Sequence, residues 1–164
     1  MSYQEKKTLA SIASGALLLA AYCLYAFNPA LTPADLKHWA ITMLVFIGIG
    51  IGLTIIIQIV FHILFAITVA IKEKIQNMEC DDKDIDKSIK QEMVEDERDK
   101  LIEMKSTQVG FGVAGFGFIA ALVALLLNYS PAVMINILFI AFSFGSICEG
   151  IYQFILYRRG YTHA

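Results

Sequence analysis

Residues 38–71 read HWAITMLVFIGIGIGLTIIIQIVFHILFAITVAI, with no Asp, Glu, Lys or Arg among them. A helix needs about 20 apolar residues to cross a hydrocarbon core of about 30 Å. At 1.5 Å per residue this run reaches roughly 50 Å, so it must tilt or project beyond the bilayer. It is followed by Lys72-Glu73-Lys74, into which the helix is expected to continue.

Residues 8–34 form a second charge-free stretch and residues 106–148 a third. The third is too long for one span, and Asn128-Tyr129-Ser130-Pro131 in its middle is a turn signal. Glu149 then interrupts an apolar run that resumes to Tyr157. The pattern predicts an all-α membrane protein of one domain, residues 1–164. Its four spans lie at about 8–27, 39–70, 106–127 and 132–157.

Composition agrees. Of 164 residues, 57 % are hydrophobic and 17 % charged. Residues 73–105 hold 12 acids and 7 bases, more than half of all the charges in the chain. So uneven a distribution excludes a water-soluble fold and a disordered chain. The net charge of −2 excludes a nucleic-acid binder that relies on global basicity. Cys23, Cys80 and Cys148 are too far apart for a CxxC or zinc pattern, and no disulfide is expected. Lys6-Lys7 ahead of an apolar stretch resembles a signal peptide, but the stretch is longer than an ordinary h-region and no A-x-A site follows. It is read as a retained span.

Orientation follows from Lys and Arg. Lys37 is the one base in the two short connections; the other bases cluster at Lys6-Lys7, in 72–105 and at Arg158-Arg159. Both termini and the long loop are therefore expected in the cytosol, with the protein in the inner membrane.

The two halves also resemble each other. Leu44-Val45-Phe46, Gly52 and Gln58 parallel Ile137-Leu138-Phe139, Gly145 and Gln153. Ala10, Ser11, Ser14 and Gly15 in the first span parallel Gly110, Gly112, Gly115 and Gly117 in the third. A 2+2 duplication of parallel hairpins would produce this pattern. In lipid, small residues permit close backbone approach. These glycines and the Gly48-x-Gly50-x-Gly52 run can serve packing within the bundle or a homo-oligomer face, and spacing does not choose between them.

The chemically pointed residues are polar ones at membrane depth. Glu149 and Gln153 are i, i+4 on the fourth span, and Gln58 and His62 are i, i+4 on the second. A carboxylate inside a span is expensive and is expected to face the bundle interior. Both pairs lie on the cytosolic side of their helices' midpoints. They are expected to meet in one polar cluster with Thr54, Ser143 and Ser146 near its rim. Two roles remain open: fixing helix register, or binding a proton, cation or small polar ligand. Asn128 and Asn136 are read as water-facing at the opposite interface. A single intramembrane acid makes a poor metal site. No H-E-x-x-H, G-x-S-x-G or P-loop occurs, so no catalytic residue, metal or cofactor is assigned.

Residues 73–105 lack Pro and Gly, and Ile85, Ile89, Met93, Leu101 and Ile102 follow a rough helical period. A charged cytosolic helix is expected to run into the third span after a flexible start near 77–82. Its net charge of −5 opposes contact with anionic headgroups. Just before that span stand Asp96, Glu97, Arg98, Asp99, Ile102 and Lys105. They resemble the D-E-R-D-x-x-I-x-x-K signature of a family of small prokaryotic four-helix membrane proteins of unknown function. The resemblance implies the four-helix layout and no activity. It also implies an accessory role beside other proteins. Arg98, flanked by acids, can by its charge form an intrahelical or interhelical ion network at the membrane surface.

The resulting expectation is a non-enzymatic accessory or regulatory membrane protein. It would dock a cytosolic or membrane protein partner through 73–105 and self-associate through its glycine faces. The alternative is a small transporter or channel-like protein using Glu149 and His62.

Overall fold

A computed structural model describes residues 3–28, 35–76 and 97–159. They form four helices: α1 (Tyr3–Ala26), α2 (Leu36–Gln76), α3 (Glu97–Leu126) and α4 (Pro131–Arg159). Each is long and apolar enough to cross a membrane. The expected spans are recovered, with every helix longer than its apolar run. The second helix continues through Lys72-Glu73-Lys74 to Gln76. Most of the charged segment, 77–96, and with it the flexible start expected near 77–82, Cys80 and Asp96, lies outside the described residues.

The turn between α3 and α4 follows directly from its residues. Asn128 has a φ of 63°, the left-handed conformation that asparagine tolerates better than most residues. The Tyr129 N–H donates to the Ala124 carbonyl (3.1 Å) and the Asn128 N–H to the Leu125 carbonyl (3.0 Å). This is a Schellman closure, which satisfies carbonyls that a helix end would otherwise leave unpaired. Pro131 then opens α4, where its fixed φ suits the first helical position and no N–H is required.

The helices are arranged in the order α3, α4, α1, α2. The α3/α4 pair has the most extensive contact, α4 also packs on α1, and α2 lies mainly against α1 with a small contact to α4. Small residues explain the first pairing. Along α3, Ile102, Ser106, Gly110, Ala114, Ala121 and Ala124 are buried in one stripe, spaced by three, four or seven. A Cβ on Gly145 would lie 2.7 Å from the Gly110 carbonyl oxygen, so α3 and α4 touch backbone to backbone there. Gly117 is similarly filled by Ala141. The two hairpins are packed unequally, for no such backbone contact joins α1 to α2 among the described residues.

An aromatic cluster holds α2. Tyr22, Trp39 and Met43 are buried together, with Tyr25, Phe46 and Phe139 around them. The Tyr22 ring meets Phe46 edge-on at 5.2 Å and Phe139 at 4.1 Å. One turn and more below, Gly50 meets Leu18. Beyond that point α2 is largely exposed, from Thr54 to Thr68.

Candidate functional site

Three polar constellations occupy the spans. At the Asn128 end, the Tyr22 hydroxyl donates to Asn136 Oδ1 at 2.7 Å, and Asn136 Nδ2 donates to the Ala132 carbonyl at 2.7 Å. Asn136 is therefore a structural bond between α1 and α4, not a water-facing residue. Spacing gave no sign of this, because the two partners are 114 residues apart.

The second constellation contains Glu149. Its Oε1 accepts a hydrogen bond from Thr107 Oγ1 at 2.7 Å, joining α4 to α3. Gly110 makes room for the carboxylate, since a Cβ there would be 2.9 Å from Oε2. Glu149 is half-buried in this interface, as the cost of an intramembrane acid requires. Thr107 stands two residues from Lys105, so the carboxylate sits close to the basic end of the bundle. Gln153 lies one turn further toward that end and is also half-buried.

The third is a groove among α1, α2 and α4, with a volume of about 440 Å³. Its polar lining is Ser11, Ser14, Thr54, Gln58, Ser143 and Ser146. Two hydroxyls are bonded within their own helices, Ser14 to the Ser11 carbonyl and Thr54 to the Gly50 carbonyl, each at 2.9 Å. The expected rim residues Thr54, Ser143 and Ser146 do gather with Gln58. The expected union of the two i, i+4 pairs does not form: neither Glu149, Gln153 nor His62 lines this groove. Glu149 turns to Thr107 on α3, and His62, one turn beyond Gln58 on α2, is exposed. The reason is helix order, because α4 presents Glu149 to α3 and leaves its small contact with α2 elsewhere.

The signature residues Glu97, Arg98, Asp99, Ile102 and Lys105 occupy the first turns of α3. Ile102 is fully buried, Asp99 is half-buried, and Glu97, Arg98 and Lys105 are exposed. Acids in the first turn complement the partial positive charge of a helix N-terminus. Among the described residues no three His, Cys, Asp or Glu side chains gather to hold a metal ion. Cys23 and Cys148 are free thiols.

No curated protein and no solved structure matches the chain. Residues 36–161, from the first turn of α2 past the end of α4, match the model of the family described as "Predicted membrane protein (DUF2178)". With four helices fit to cross a bilayer and a match over most of its length, the chain belongs to that family of membrane proteins.

Proposed function

We propose that this is a non-enzymatic accessory or regulatory protein of the cell membrane, with both termini and the 73–105 segment in the cytosol. It associates with a protein partner or a second copy through α2, and its charged segment adds a cytosolic contact. The observation that carries the reading is how far α2 reaches beyond the other helices. From Leu18 to Lys7, α1 rises about 16 Å. The same rise takes α2 from Gly50, which meets Leu18, to Phe61, and the helix runs on for about 22 Å to Gln76. Asn28 to Lys7 spans about 31 Å, already the thickness of the hydrocarbon core. An apolar rod that outreaches its neighbours must lean steeply or be covered by protein.

The glycines divide accordingly. Gly110, Gly117 and Gly145 are consumed inside the α3/α4 contact, whereas Cβ positions on Gly112 and Gly115 of α3 and on Gly48 and Gly52 of α2 would meet open space. The latter pair supports self-association along the outer side of α2. The transporter alternative has less support, since it needs Glu149 and His62 on one path.

The test places a photo-crosslinking amino acid at Ile59, Ile63 or Ile67 in cells. Discrete protein adducts, of a second copy or of a partner, are expected from α2, and lipid adducts alone from Phe116 on α3. Lipid adducts alone from all the α2 positions would remove the reading. Charge reversal at Asp96, Glu97 and Asp99 is expected to weaken recovery of a captured partner.

A further inference from the structure

We infer that the groove between α1, α2 and α4 binds an uncharged glycerolipid of the diacylglycerol class, drawn from the leaflet on the basic side. Toward the Asn128 end the groove reaches Leu18, Gly50 and Ile47, beyond which lies the aromatic cluster around Tyr22. It extends the other way along α1 and α2 to Ser11 and Gln58, where α2 no longer packs closely on its neighbours. Ser11 stands one turn from Lys7, at the depth of the headgroup boundary on that side.

The lining selects the ligand's chemistry. It contains five hydroxyls and one primary amide, and no Lys, Arg, Asp or Glu. Such a wall can neither neutralise a phosphate nor repel one, and desolvating a charge against it has nothing to offset the cost. Hydroxyl and ester groups are matched instead. The Gln58 amide offers two donors and an acceptor, and the oxygens of Ser14 and Thr54, whose protons are already committed, remain acceptors. Gln58 at the headgroup end, and Ser143 and Ser146 deeper in the groove, add further donors and acceptors to the wall. Leu18, Ile47, Ile51 and Ile55 form the apolar part of the wall and suit acyl chains. The volume of about 440 Å³ lies within the range of small-molecule sites and admits a glycerol head with the first part of its chains.

This inference stands apart from the docking reading, because the groove lies on the inner side of α2 and the proposed contact on its outer side. The experiment uses the full chain in phosphatidylcholine nanodiscs containing a diacylglycerol with a diazirine in one acyl chain. Irradiation is expected to label α1, α2 and α4 at the groove, with competition by dioleoylglycerol and not by equimolar phosphatidic acid. Gln58→Leu is expected to weaken competition about threefold to tenfold, the effect of one neutral hydrogen bond. Thr54→Val, nearly isosteric, provides a second reading if Gln58→Leu does not purify as a monodisperse protein. Filling the groove with Ser143→Leu and Ser146→Leu together is expected to abolish groove labelling. Label spread evenly over lipid-facing sites such as Phe116 and Leu126 would overturn the inference. So would equal competition by phosphatidic acid, or labelling indifferent to all of these substitutions.

Discussion

Gly145 has no room for a side chain, and at its level α3 and α4 approach backbone to backbone. A Cβ there would press on the Gly110 carbonyl oxygen at 2.7 Å, and a backbone atom cannot step aside as a flexible side chain can. Gly145→Leu is expected to lose roughly 1–3 kcal/mol or more through forced separation of the helices, seen as a lower midpoint of unfolding in detergent. Gly112→Leu, facing open space, is expected to change little in the same assay. The Tyr22–Asn136 bond has a smaller effect. A double-mutant cycle with Tyr22→Phe and Asn136→Leu is expected to return a coupling of about 0.6 kcal/mol, the ordinary value for hydrogen bonds between membrane helices. A coupling of zero would mean that Asn136 finds an equal partner elsewhere. Tyr22 carries no mark of its role within its apolar run, and the polarity of Asn136 near an interface points to water rather than to Tyr22. Glu149 did carry one, because an acid inside a span demands an interior position. Its partner was not legible: Thr107 is an unremarkable hydroxyl 42 residues away, and Gln58 and His62 were better candidates on chemistry alone.

Among the elements, the α3–α4 connection was readable in full. Asn128 and Pro131 each answer a local backbone requirement, and local requirements are visible locally. Asn128→Val is expected to destabilise the hairpin by about 1–2 kcal/mol, because a β-branched residue resists positive φ. Asn128→Gly is expected to be neutral or slightly stabilising in the same thermal unfolding series. The length of α2 was equally plain, since the run of apolar residues ends only at Lys72. Which of its sides meets the bundle was not. Isoleucines occur around the whole circumference, so no polar face marks the direction of the core, as it would on an amphipathic helix in water. The structure places Trp39, Met43 and Gly50 inward and leaves Gly48 and Gly52 outward, which separates packing glycines from available ones.

For the molecule as a whole, stability should follow the uneven packing. Hydrogen exchange in nanodiscs is expected to show α3 and α4 protected most strongly at the Gly110–Gly145 level, with α2 beyond Gly50 opening first outside the bilayer. Uniform protection of all four helices to their ends would contradict this. Orientation is tested by Ser130→Cys in a background lacking the native cysteines. A membrane-impermeant maleimide is expected to reach it from the non-cytosolic side only, and labelling from the cytosol would invert the topology.

The number of helices, their approximate limits and the position of the charged segment could all be derived from residue order alone. Transfer of a chain segment into lipid depends on the segment's own composition, and backbone hydrogen bonds inside a helix are made within it. The neighbour of each helix, the partner of Glu149 and the existence of the serine-lined groove were decided only in three dimensions. Lipid and protein interior are equally apolar, so burial leaves no periodic trace in the sequence. The choice among helix faces then rests on close-range fit between glycines, hydroxyls and backbone oxygens, which exists only once the helices have met.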